Sequence, residues 1–303
     1  MKRIVYCILA TLIIVGCGQS YEEKRKLSRK ERLRLMREDS AALKIAVMPT
    51  LDCLPLFVAR EHQLFQAAGA DVRLKMFTAQ MDCDTALARG RVEGSVTDVV
   101  RAERLKKEGT ALEYLTVTNA YWQLFTNRTA RIKSLKQLDD KMISMTRYSA
   151  TDMLSDIAVD SGKLKTERVY RIQVNDVNIR LKMLLASEVD AALLTEPQAT
   201  QARTAHHPML LDSRNLGINF GVIAFSEQAL KKRQKQMEAF RKGYNQACDS
   251  LSRYGISRYR QLLAEQCKIK VAMVDSLPKD IKFQHITSPA EADIERAQKW
   301  LNP

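Results

Sequence analysis

Short apolar runs alternate with longer amphipathic stretches along the chain from residue 43 onward. Residues 43–48 form an apolar run that Pro49 ends, and residues 55–68 repeat their apolar side chains at helical spacing. This βαβα order predicts an α/β fold, in which a mostly parallel sheet carries helices on its faces. Further strands are predicted at 71–77, 93–97 and 112–118, with helices at 82–88 and 99–107.

A second stretch of the chain repeats this pattern, and the chain then returns through an apolar strand predicted at 218–225. A single hydrophobic core stops growing at roughly 250–300 residues, so a chain of this length favours two lobes. The remaining predicted elements are strands at 142–145, 169–174 and 191–194, a helix that Gly162 stops, and helices at 178–187, 227–253, 257–267 and 290–301.

Polar residues follow most of the predicted strands. In open α/β sheets a small molecule binds beyond the carboxyl ends of the strands, so these residues, together with Met81 and Trp122 beside them, are the candidate ligand-binding set. They are Thr50, Asp52, Met81, Asp82, Thr97, Asp98, Trp122, Ser149, Thr151, Asn175, Asp176 and Glu196.

Several of these residues have a second interpretation that the sequence leaves open. Asp52, Asp82, Asp98 and Ser149 can each be a helix cap instead, because Asp and Ser are common at that position. A helix start beside a cleft also offers backbone N–H groups to an anion or another polar group. Tyr121 and Trp122 fit either an aromatic wall of the cleft or packing at a hinge.

The candidate set contains five carboxylates, and Arg147 is the basic residue that the pattern places near them. This balance predicts a cationic or hydrogen-bond-donating ligand, such as an amine or an aminopyrimidine. A sulfonate or nitrate site would instead favour arginine, hydroxyl and backbone N–H donors.

The N-terminus has the features of an export signal. Lys2 and Arg3 precede an apolar run over residues 4–15, which is too short to span a bilayer. Ile14-Val15-Gly16-Cys17 resembles the bacterial lipobox, so we expect residues 1–16 to be removed and Cys17 to carry the lipid (a palmitate among its acyl chains). The alternatives are an ordinary cleaved signal and an uncleaved membrane anchor. The predicted location is the cell envelope, on a bacterial membrane and facing the periplasm.

The strongly basic composition is concentrated behind this signal. The net charge of +14 falls to +12 without Lys2 and Arg3, and residues 22–37 hold eight Lys or Arg against three Glu. Residues 17–42 are predicted to be a tether, which is either attracted to an anionic membrane surface or simply solvated. Export argues against nucleic acid as the partner.

Four cysteines remain after Cys7 and Cys17 are set aside, and an exported protein permits disulfides. Three pairings are possible, and the most local one joins Cys53 to Cys83 and Cys248 to Cys267. The spacing of cysteine and histidine predicts no metal site, and no phosphate loop or dinucleotide motif predicts a cofactor.

Four phrases of the sequence resemble the periplasmic solute-binding proteins of ABC importers, in the family of alkanesulfonate, taurine, nitrate and thiamine-pyrimidine binders. They are KIAVMPTLDCLPLFVAREHQLFQAAGADV, ALARGRVEGSVTDV, LLASEVDAALLTEP and LGINFGVIAFSEQAL, with His62, Glu93 and Ser187 at positions where the family usually has another residue.

The resemblance implies a type II periplasmic binding fold whose two lobes close around a ligand by hinge bending. The first lobe would comprise residues 43–118 and 216–303, and the second lobe residues 119–215. It implies a monomer that binds without chemistry and presents its ligand to a permease and its ATPase. The alternatives are an enzyme on the same fold, of the pyrimidine or menaquinone-pathway type, and a ligand sensor without a permease.

Overall fold

A computed structural model describes residues 29–302 of the chain, which divides into two compact units at residues 42 and 43. In the first unit the described residues form helix α1, Arg29–Ala41, whose side chains are mostly exposed. The predicted signal, the lipidation site Cys17 and the start of the tether lie outside the described residues. Among residues 29–302 we find no helix that is both long and apolar enough to span a membrane.

The second unit begins with the first lobe, a sheet whose strands β1 to β4 alternate with helices. Strand β1 pairs in parallel with both β2 and β3. The predicted order of elements is confirmed here, except that the helix expected over 55–68 is interrupted at Gln63, which has a left-handed backbone. The elements are β1 Leu43–Val47, α2 Leu54–Glu61, α3 Leu64–Ala67, β2 Val72–Met76, α4 Gln80–Ala88, β3 Gly94–Asp98, α5 Val99–Lys107 and β4 Leu112–Val117.

The second lobe is built on another five-stranded sheet, with the strand order β7-β6-β8-β5-β9. Strand β6 is parallel to β7 and β8, whereas β5 is antiparallel to β8 and β9. Strands β5 and β9, of four residues each, were not predicted. The elements are β5 Gln123–Thr126, β6 Lys141–Met145, α6 Ala150–Ser161, β7 Val169–Gln173, α7 Val177–Leu185, β8 Ala191–Leu194, α8 Gln198–Thr204 and β9 Met209–Asp212.

The chain then returns to the first sheet, where β10 lies antiparallel between β3 and β4. Each sheet is therefore mixed, and the predicted two-lobed α/β fold is confirmed. The helix expected over 227–253 is divided at Arg233, which is not helical. The last elements are β10 Gly221–Ser226, α9 Glu227–Lys232, α10 Gln234–Tyr254, α11 Arg260–Cys267 and α12 Glu291–Leu301.

Helix α10 covers one face of the first sheet through its aromatic residues. The ring of Phe240 stacks on Phe65 with 5.1 Å between centroids and meets the edge of Phe225 at 5.4 Å. All three side chains are buried, and aromatic pairs at such distances add to the stabilisation from burial. This packing fixes the sheet whose strand ends form one side of the cleft.

The chain crosses between the lobes twice, and the two crossings lie side by side. The N–H of Thr118 donates to the carbonyl of Gly221 at 2.8 Å, and the N–H of Ser213 donates to the carbonyl of Trp122 at 3.0 Å. A Cβ at Gly221 would overlap Thr118 Oγ1 and lie 2.6 Å from Ala120 Cβ. Glycine is therefore required where the two crossing segments approach each other.

Candidate functional site

A cavity of about 30 Å³ lies at the strand ends where the two lobes meet. A water molecule needs roughly 10–15 Å³ of cavity volume, so the cavity has room for about two or three water molecules. Strand ends and first helical turns of both lobes supply the residues around it. These are Met48, Thr50, Asp52, Gln80, Cys83, Val96, Thr97, Arg101, Ala120, Trp122, Val177, Arg180 and Thr195.

Thr50, Asp52, Thr97 and Trp122 are the candidate residues that line this cavity. Burial raises the pKa of Asp52 above its usual value, and Thr118 donates a hydrogen bond of 3.4 Å to its carboxylate. The buried hydroxyl of Thr97 has no hydrogen-bond partner among the described residues. Thr50 and Asp52 follow β1, Thr97 lies in the last residues of β3, and Trp122 follows β4, so all four stand at strand ends.

Arg101 contributes a buried cation to the cavity from the first turn of α5, although the sequence analysis did not select it. Its Nη2 lies 2.6 Å from Asp84 Oδ1 and donates to the carbonyl of Gln80. Its Nε is 3.9 Å from Asp98 Oδ2 without forming a hydrogen bond. Within residues 29–302 its Nη1 also has no hydrogen-bond partner.

Arg180 contributes a second buried cation, from the first turn of α7 in the other lobe. Its Nη1 lies 3.5 Å from Thr151 Oγ1, and the described part of the chain offers its Nε no partner. Burial and the positive charge of Arg101 lower its pKa to about 10, and Asp176 opposes that shift. The described residues place no carboxylate within ion-pair distance of this guanidinium.

Three candidate residues are helix caps. Asp98 accepts from the N–H of Arg101 at 3.0 Å, Ser149 from that of Thr151 at 3.1 Å, and Asp176 from that of Asn178 at 2.8 Å. Asp98 also accepts a bond of 3.0 Å from the N–H of Ala150 at the start of α6, so it joins the two lobes. Capping is confirmed for Asp98 and Ser149, and Asp176 caps α7 as well; none of the three lines the cavity.

The other candidates of the second lobe also lie beside the cavity rather than in its lining. Thr151 Oγ1 accepts from the N–H of Thr146 at 2.9 Å, and the Asn175 carbonyl accepts from Gln80 at 3.5 Å. Glu196 accepts a bond of 2.9 Å from the Tyr121 hydroxyl and pairs with Arg203 at 2.9 Å. The neighbouring Thr195 lines the cavity instead.

Met81 and Asp82 are not part of the cavity, and Asp82 is exposed. Helix α4 begins two residues earlier than expected, and Ala79 rather than Asp82 occupies its cap position. The helix therefore presents Gln80 and Cys83 to the cavity.

The structure has neither predicted disulfide, because Cys53, Cys83, Cys248 and Cys267 are all buried free thiols. Cys53 and Cys83 have different neighbours: Thr50 Oγ1 lies 3.6 Å from the sulfur of Cys53, whereas Cys83 lies on α4 in the field of Arg101. Although both residues follow neighbouring strands, their sulfur atoms are therefore not joined in a disulfide. Residues 29–302 show no cluster of metal-binding side chains either.

Hydrogen bonds across the cleft hold the lobes together around the cavity. The N–H of Leu51 donates to the Glu196 carbonyl at 2.9 Å, and Gln198 Nε2 donates to the Pro49 carbonyl at 3.1 Å. On the other side of the cleft, the indole N–H of Trp300 donates to Asp156 at 2.7 Å. The lobes are closed in this conformation.

Solved structures of binding proteins share this fold. The alkanesulfonate-binding protein SsuA from Xanthomonas axonopodis pv. citri, bound to MOPS, superposes with a TM-score of 0.73 at 17% identity, over 86% of this chain and 91% of that chain. The aliphatic sulphonate binding protein SsuA from Escherichia coli gives 0.70 at 17% identity, over 86% and 85%. The nitrate-binding protein NrtA from Synechocystis PCC 6803 gives 0.67 at 13% identity, over 77% and 68%.

A search of curated protein sequences gives no match. The family described as NMT1/THI5 like matches residues 50–253, which include both crossings and all the cavity-lining residues except Met48. The match agrees with the resemblance seen in the four sequence phrases. Because it covers more than half of the sequence, the chain belongs to the NMT1/THI5-like family.

Proposed function

We propose that this protein is a lipid-anchored solute-binding protein, which captures a small polar molecule between its lobes and delivers it to an ABC-type permease and its ATPase. The observation that carries the proposal is the cavity at the closed cleft, to which strand ends of both lobes contribute polar side chains. The proteins that share the fold are described as sulfonate- and nitrate-binding proteins, which supports the proposal. The proposed lobes are residues 43–118 with 216–303 and residues 119–215.

The chemistry of the cavity favours binding over catalysis. Burial raises the pKa of the Cys83 thiol to about 12, so the thiol is protonated at neutral pH. A protonated thiol is a poor nucleophile and a poor metal ligand. We therefore propose that the bound molecule is released unchanged.

The two tryptophans of the chain provide a test of solute binding. Trp122 lines the cavity, whereas Trp300 lies outside its lining and bonds to Asp156. A library of small metabolites is titrated into the full chain in detergent while tryptophan fluorescence is followed. A solute in the cavity should change the emission of the Trp300→Phe variant, which reports on Trp122, and closure should also change that of Trp122→Phe, because Trp300 bonds to Asp156 across the cleft. If the emission of the Trp300→Phe variant responds to no solute, this would count against a binding site in the cleft.

The lipid anchor is proposed from the Ile14-Val15-Gly16-Cys17 pattern. We expect the full chain to enter the detergent phase on phase partition and to incorporate labelled palmitate in bacterial cells. The Cys17→Ser variant should do neither, and the proposed location on the periplasmic side of a membrane requires protection from protease in intact cells. Palmitate incorporation into the Cys17→Ser variant would refute this site of attachment.

A further inference from the structure

Two buried arginines, one from each lobe, line the same small cavity. Arg101 and Arg180 are each 1% exposed, and both lie in the first turn of a helix that begins at the cleft. The N-terminal end of a helix already carries positive partial charge, which favours an anion and disfavours a cation. Two arginines at two such ends therefore concentrate positive charge where the lobes meet.

The carboxylates of the site compensate this charge unequally. Asp84 pairs with Arg101 at 2.6 Å but also with Arg104 at 3.0 Å, and Asp98 is 3.9 Å from Arg101. Among the described residues none of the acidic groups forms an ion pair with Arg180. Asp52 also lines the cavity; burial raises the pKa of its carboxyl, which accepts a hydrogen bond from Thr118.

Several donors of the lining are buried without hydrogen-bond partners within the described chain. They are Nε and Nη1 of Arg101, Nε of Arg180 and the hydroxyl of Thr97. A buried donor without a partner is costly, and a buried charge is normally paired. These groups are the complement of an oxyanion, whose oxygens accept hydrogen bonds from guanidinium N–H groups at short distance.

We infer that the solute of this protein is a small oxyanion of about four non-hydrogen atoms, held between Arg101 of one lobe and Arg180 of the other. The inference rests on the proposed function, since it names the class of solute for the same cleft. The cavity of about 30 Å³ in this closed conformation matches an anion of that size better than one with an alkyl or cyclic tail. The anion also couples binding to closure, because it screens the repulsion between two cations that approach only when the lobes close.

The decisive experiment measures solute affinity by calorimetry on the full chain in detergent, at constant ionic strength. The probes are sodium nitrate and sodium formate as small oxyanions, MOPS as a large sulfonate, and putrescine and an aminopyrimidine as cationic or donor solutes. We expect a small oxyanion to bind at least tenfold more tightly than MOPS, putrescine or the aminopyrimidine. Equal or tighter binding of any of these three would overturn the inference and leave the proposed function intact.

Variants of Arg180 separate a role in binding from a role in folding. Arg180→Met should lower oxyanion affinity at least 100-fold while the melting temperature of the protein without added solute stays the same or rises, because an unpaired buried charge is removed. Arg180→Lys keeps the charge and should lose about tenfold. The matched control is Arg168→Met, which removes an exposed arginine paired with Asp139 at 2.6 Å and should leave affinity unchanged.

The outcomes distinguish the two proposals. If Arg180→Met does not fold, the Arg180→Lys variant and the probe series still decide, and oxyanion affinity unaffected by the lysine substitution would overturn the inference. If the probes fail and no small metabolite changes the fluorescence or the melting temperature of the wild-type chain, both the inference and the proposed function fail.

Discussion

Asp98 is a fully buried carboxylate whose charge is removed with little change of shape by the substitution Asp98→Asn. Its Oδ1 accepts hydrogen bonds of 3.0 Å from the N–H groups of Arg101 and Ala150. An asparagine carbonyl oxygen can accept the same two bonds. The charged groups around it are Arg101, which opposes the effect of burial, and Asp84, which reinforces it. The substitution therefore isolates the effect of one buried charge at the junction of the lobes.

Burial raises the pKa of Asp98 from 3.8 to about 6. The folded protein thus holds this proton more tightly than the unfolded chain. The contribution of protonated Asp98 to the free energy of unfolding is therefore complete below about pH 4. It is lost as the pH rises towards 6, and a shift of about 2 units corresponds to about 3 kcal/mol. At neutral pH the free energy of unfolding of the wild-type protein is lower by this amount, whereas that of Asp98→Asn is not lowered.

Urea unfolding of the wild-type protein and of Asp98→Asn, at intervals from pH 4 to pH 7, measures this contribution. The free energy of unfolding of the variant relative to the wild type should rise by about 3 kcal/mol between pH 4 and pH 6 and then level off. The control is Asp139→Asn: the hydrogen bond from exposed Arg168 lowers the pKa of Asp139, so the contribution of this carboxylate changes mainly below about pH 4 and the difference from the wild type should stay nearly constant from pH 4 to pH 7. A constant difference between wild type and Asp98→Asn across this range would refute the reasoning.

Three further predictions concern packing and the thiols. Gly221→Ala should lower the free energy of unfolding by about 1–3 kcal/mol, because its Cβ would overlap Thr118 and Ala120; an unchanged urea midpoint would show that the crossing relaxes. Phe240→Ala should cost about 3–5 kcal/mol by the same measurement, whereas Tyr254→Ala, which truncates an exposed ring, should cost under about 0.5 kcal/mol. Peptide mapping after alkylation without reductant should find all four buried cysteines unlinked, and a disulfide-linked peptide would contradict this.

The strands and helices that could be predicted from the sequence are those in which apolar residues recur at a regular spacing. Residues 99–107 and 191–194 were predicted with the bounds that α5 and β8 have in the structure. The missed strands β5 and β9 have four residues each, too few to establish an alternation of apolar and polar side chains. Their pairing with each other and with β8 defines them, and such long-range contacts are not visible in a local pattern.

The cavity lies at strand ends, where the sequence pattern places the candidate residues, but two of its charged groups come from inside helices. Of the candidates, Thr50, Asp52, Thr97 and Trp122 line the cavity. The two arginines lie within predicted helices rather than after a strand, so the strand-end pattern does not point to them. Their neighbours carried a signal, however, since Val99-Val100-Arg101-Ala102 places the arginine in an apolar run where a cation opposes the helix dipole.

The relation between cap and cavity explains why the sequence pattern favours a cationic ligand although two arginines lie in the lining of the cavity. The capping carboxylates of α5 and α7 accept bonds from their own helices, so the acidic residues directly after the strands are already occupied. Side chains in a helix lean towards its N-terminus, so a residue three or four positions after the cap lies over the first turn and faces the cleft. Arg101 follows Asp98 by three positions, and Arg180 follows Asp176 by four. For this chain the charge offered to a solute is therefore better judged from the first helical turn than from the cap.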